Sequence, residues 1–124
     1  MVQTDLSQLS SEAAEWHQIL RNYREEFQEC KRALEEMCKQ SLTKDQLQDV
    51  EHFGNQFHIQ LINIHDLKHH IKGHERAVRH ESDNVSESTY AHHEELLDQF
   101  LTLENTLQEL RNDFQKFISA TSCQ

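Results

Sequence analysis

Residues 57–81 read FHIQLINIHDLKHHIKGHERAVRHE. Phe57, Gln60, Ile64, Leu67, Ile71, His74 and Val78 follow one another in steps of three and four. Extended backwards, the series takes in Val50 and Phe53. Its mean period of about 3.5 residues marks the seam of a helix in a left-handed supercoil. Leu47, Gly54 and Leu61 flank the seam and widen it, as a helix touching two partners requires. Beyond Leu61 the flank turns polar, with Lys68 and Glu75. The spacing predicts one continuous helix from about Lys44 to Glu81, with Gly54 and Gly73 as places for a bend or a close approach.

The segments on either side are built to pack against it. Leu6, Leu9, Ala13, Trp16, Leu20, Tyr23, Phe27, Cys30, Leu34 and Met37 repeat the 3-4 spacing, predicting a helix over about 5–40. Asp5 and Gln8 have the spacing of a capping box. The glutamates between the seam positions, Glu12 among them, read as a solvated face. Ser86, Thr89, His93, Leu96, Phe100, Leu103, Leu107, Leu110, Phe114 and Phe117 form a third seam, in a helix over about 84–119.

Two short breaks separate the helices. Thr43 has the chemistry of an N-cap, Gln46 completes a box with it, and Leu42 and Leu47 stand at staple spacing. At the second break, Ser82 to Ser86, Asp83 or Asn84 is the expected cap. The tail 120–124 is expected to be disordered. Short turns force neighbouring helices antiparallel. The expected fold is therefore all-α: a single-domain, up-down-up antiparallel three-helix bundle or coiled coil, each helix about 50 Å long at 1.5 Å per residue. An open hairpin that dimerises is the alternative. The layout, with a Trp in the first helix, resembles a spectrin-type repeat in pattern, although the third helix has no matching Trp.

Composition narrows the function classes. There are no prolines, two glycines and a formal charge of −10. No basic patch rises above that acidity, so nucleic acid and anionic membrane surfaces are not expected partners. Protonating the ten histidines would bring 22 basic groups against 22 acidic ones, so self-association should rise as pH falls from about 7 to 5. Cys30, Cys38 and Cys123 lack CxxC spacing and read as reduced thiols, with Cys30 in the core and Cys123 in the tail, which suits a cytoplasmic chain. No phosphate loop or nucleophile elbow is present, and a narrow three-helix core leaves little room for a substrate pocket. An enzyme is not expected.

Two features carry chemistry. Antiparallel geometry brings His74, His93, Thr89 and Ser86 to one end of the core, beside Ala13 and Trp16. Histidines there can bond to each other and fix helix register. They can also ligate Zn or Ni: His70 and His74 are four apart on one helix, His93 lies across the interface, and Asp66 and His92 are further candidates. His70-x3-His74 and His93-x4-Asp98 resemble two ligand motifs of hemerythrin-like oxygen carriers. Gln56 after His52 supplies no bridging carboxylate, so a di-iron site is not expected. The second feature is an outward stripe of His58, Ile59, Ile62, His65 and His69, which reads as a surface for a protein partner or a second copy of the chain. The expected function is protein–protein interaction by a non-enzymatic bundle. The alternative is a histidine-dependent metal-binding or pH-responsive one.

Overall fold

The computed structural model describes residues 6–81 and 85–122. Three helices account for nearly all of them: α1, Leu6–Met37; α2, Lys44–Arg79; and α3, Glu87–Ser122. Among the described residues there is no strand, and no helix is long and apolar enough to cross a membrane. The fold is the expected three-helix bundle.

Local chemistry sets the helix ends. Thr43 and Gln46 form the capping box: the Gln46 amide donates to Thr43 Oγ1 at 3.1 Å, and the Thr43 amide donates to Gln46 Oε1 at 2.8 Å. Leu42 packs against the core, whereas Leu47 remains 48% exposed and does not widen the seam. α1 ends earlier than its pattern suggests. The amides of Lys39 and Gln40 donate three residues back, to Glu36 and Met37, and this tighter winding closes the helix. The cap of α3 is Ser86, whose Oγ accepts from the Thr89 amide at 3.2 Å. Ser86 is thus an exposed cap and not a core residue. The expected caps Asp5, Asp83 and Asn84 lie outside the described residues, as does Cys123. α3 continues through Ser122, past the expected end at 119, because Ala120 and Thr121 contain no helix breaker. The expected disorder of 120–122 is thereby corrected.

α2 is the middle element. It packs most extensively on α1 and next on α3, while α1 and α3 approach each other at fewer points. Every seam position of α2 from Val50 to Val78 is buried, Gln60 and His74 included. A Cβ added at Gly54 or Gly73 would meet nothing within 4 Å, so neither glycine marks a close approach. On the open side, Arg111 ties α3 to α1: its Nε donates to Glu26 Oε2 at 2.8 Å, and its guanidinium lies 4.8 Å from the Tyr23 ring centre. Beside that tie runs an apolar groove lined by Cys30, Ala33, Phe114 and Ile118.

Candidate functional site

His74 and His93 occupy seam positions on α2 and α3 and are 0% and 1% exposed. Their rings meet across the helix interface, with His74 Nε2 2.8 Å from His93 Nδ1. The other nitrogen of His93, Nε2, lies 2.7 Å from Glu12 Oε2 on α1. Three helices thus meet in one line of polar atoms. Ala13 is small and fully buried at this level of α1, and Trp16 covers His93 at 4.6 Å between ring centres.

Proton positions follow from the bonding. The hydrogen bond from His93 holds the Glu12 carboxyl below the usual carboxylate range, so it is ionised near neutral pH and can only accept. His93 Nε2 is therefore the donor to Glu12. In a neutral His93 this leaves Nδ1 as an acceptor, and His74 Nε2–H donates to it. The chain of donors runs His74 to His93 to Glu12, from the core towards solvent. It ends inwards at His74 Nδ1, a buried lone pair with no hydrogen-bond partner among the described residues. Burial, with smaller contributions from His93 and His92, pushes the His74 imidazole down to about 4. Desolvation disfavours the cation most, and no acceptor among the described residues receives a second N–H.

The expected histidine layer is therefore present, with three changes of membership, the exposed cap Ser86 being the first. Glu12, read as a solvated residue, is the anion of the layer. Thr89 spends its hydroxyl on Glu81 and Ser86 instead. Glu12 flanks the buried Ala13 but shares the spacing of the other solvated glutamates, and only its pairing with a residue 81 positions away sets it apart.

Of the candidate ligands, the structure brings His74 and His93 together and sets His92 edge-on to His74 at 5.1 Å between ring centres. His70 does not join them. It is exposed and lines a shallow surface depression with His65, Asp66 and His69. Among the described residues no group of three or more His, Cys, Asp or Glu is placed to hold a metal ion. At the other end of the bundle, burial pushes the Cys30 thiol up to about 11, which keeps it protonated and weakly nucleophilic.

The outward stripe is where the spacing put it. Ile59 and Ile62 are 46% and 49% exposed, and His58, His65 and His69 stand exposed around them. The other large exposed apolar residues among those described, Leu47, Tyr90 and Leu101, are scattered singly. Comparisons with protein-family models, curated proteins and solved structures found no match.

Proposed function

We propose that the chain is a non-enzymatic, cytosolic helical bundle that acts by binding protein, with the outer face of α2 as its contact surface. The observation that carries this reading is the pair Ile59 and Ile62. They lie side by side on a helix whose inward seam is already fully used. Isolated exposed apolar residues are ordinary. Two neighbours on the outer face of the middle helix form a small patch that loses water only when something covers it. A photo-crosslinking residue at position 62 tests this, with position 18 on exposed α1 as control. Adducts to another chain are expected from position 62 and not from 18. Equal labelling from both, or none from either, overturns the proposal.

A second reading draws on the histidine layer. His74 Nδ1 is a buried nitrogen without a partner among the described residues. It can take a proton on acidification, which makes the bundle pH-responsive, or accept a borderline metal such as Zn2+ or Ni2+ with His92 near it. Calorimetric titration with either ion separates the two. Metal binding predicts heat that vanishes in His74→Ala. The pH reading predicts none.

A further inference from the structure

The outer face of α2 carries a second seam, opposite the first. His52, Asn55, Ile59, Ile62, Asp66 and His69 follow the same 3-4 spacing and are all exposed. Continued outwards, the seam reaches Asp45 at one end of the helix and Arg76 at the other, both also exposed. A seam of this period is the geometry by which one helix lies along another.

Charge along this face is segregated. Asp45, Asp49 and Glu51 lie before the isoleucines, and Lys72, Arg76 and Arg79 lie after them. His65, His69 and His70 belong to the same later half. A parallel arrangement of two such faces would set like charges side by side. An antiparallel arrangement matches them.

We infer that α2 pairs antiparallel with α2 of a second copy of the chain, about a two-fold axis passing between Ile59 and Ile62. This rests on the interaction reading above and names its partner. In this register Ile59 meets the partner's Ile62, and the two exposed apolar pairs close over each other at the axis. Asp45 stands level with the partner's Arg76; equivalent flanks face each other across the axis, so Glu51 lies beside the partner's Lys72 and Asp49 beside the partner's His70. Two charges break the segregation: Asp66 is level with the partner's neutral Asn55, and Lys44 lies beside the partner's Arg79, a like pair at the exposed helix ends that costs little. The two-fold repeats every match. The axis also falls near the middle of Lys44–Arg79, so nearly the whole helix overlaps.

No other helix offers such a face. The exposed surface of α1 carries Glu15, Glu25, Glu29, Glu35 and Glu36, an excess of carboxylates over bases that opposes pairing through α1. On α3 the exposed Tyr90 and Leu101 are too far apart to form one patch. Exposed ion pairs add little affinity each, but they decide orientation. The apolar contact is small, so the dimer is weak and dissociates on dilution.

Sedimentation equilibrium of the full chain, from micromolar to several hundred micromolar, tests the inference. A monomer–dimer equilibrium is expected. Ile62→Glu should weaken it at least about tenfold, with the helical circular dichroism of the monomer unchanged. Asp45→Arg and Arg76→Asp should each weaken it, and the double variant should recover the original constant, because the swap restores opposite charge at both matches. A chain that stays monomeric throughout, or a dimer indifferent to Ile62→Glu, overturns the pairing. A double variant no better than the singles overturns the antiparallel register. The interaction reading fails separately: a monomer that still crosslinks from position 62 to a different protein refutes self-pairing alone, whereas a monomer without adducts refutes both.

Discussion

At one end of the bundle Phe57 meets Phe27 at 5.0 Å and Phe114 at 4.9 Å, both edge to face, and Phe53 adds contacts to Phe114 and Phe117. At the other end the matching layers hold Trp16, His74 and His93. The same three helices and the same spacing support both. The aromatic end gains from area and ring geometry, which tolerate small slips of one helix along another. The histidine end gains from directed bonds of 2.7 and 2.8 Å, which tolerate almost none. One half of the core supplies stability, and the other fixes which residues stand level.

That contrast can be broken at four places. The largest effect should come from the aromatic end. Phe57→Ala leaves a cavity among three rings and should cost about 3–5 kcal/mol, read as a shift in the denaturant midpoint at pH 7. A loss below about 1 kcal/mol would mean that this end is not the main source of stability.

Next comes acid. In the unfolded chain His74 takes up its proton near its ordinary value of about 6.5, but in the fold not until about 4. Between those values the unfolded state binds more protons, so stability falls as pH falls. This contribution is intact above about pH 6.5 and lost by about pH 4, on the order of 3 kcal/mol. Glu12, lowered by its bond to His93, acts in the same direction. Urea denaturation at a series of pH values should show the loss. His74→Leu/His93→Leu should flatten most of it, leaving the background of the other carboxylates.

Third, at pH 7, His93→Leu alone should cost about 1–3 kcal/mol, because His74 Nε2–H is left buried without an acceptor. The double leucine variant should recover most of that cost, since no polar group then remains unpaired. If the single and double variants were equally destabilised, packing volume and not hydrogen bonding would govern the layer.

The smallest effect separates backbone from core. Gly54 and Gly73 sit in the two halves of α2, with open space around each. Alanine at either should stabilise by up to about 1 kcal/mol, and by similar amounts. A clear difference in thermal midpoint would show that the two halves of the helix differ in backbone order as well as in chemistry.

Much of this contrast is written in the spacing. A 3-4 series names its own inward residues, so Gln60, His74 and His93 could be placed in the core although none is apolar. The Thr43 box is equally local, since both partners lie within one turn. What was not legible depends on register across helices. Glu12 looks like its neighbouring glutamates until Ala13 is set against His93, and Glu26 looks the same until Arg111 arrives from α3. Helix ends were also partly hidden. Ser86 fits both the seam of α3 and its cap, and only the hydrogen bond from Thr89 decides between them. His70 shares a helix face with His74 at a spacing of four. The seam turns His74 fully inwards and leaves His70 at the rim, so spacing alone overstated their kinship.

Trp16 is the only tryptophan in the chain, and its ring centre lies 4.6 Å from that of His93 and 6.0 Å from that of Phe100. The molecule therefore carries its own fluorophore, and carries it in one half only. Its emission reads proton uptake and loosening in the histidine layer without any label. Far-ultraviolet dichroism reads all three helices at once. Where the two signals part company during acid titration, the bundle opens from the histidine end first. Where they coincide, the two ends unfold as one.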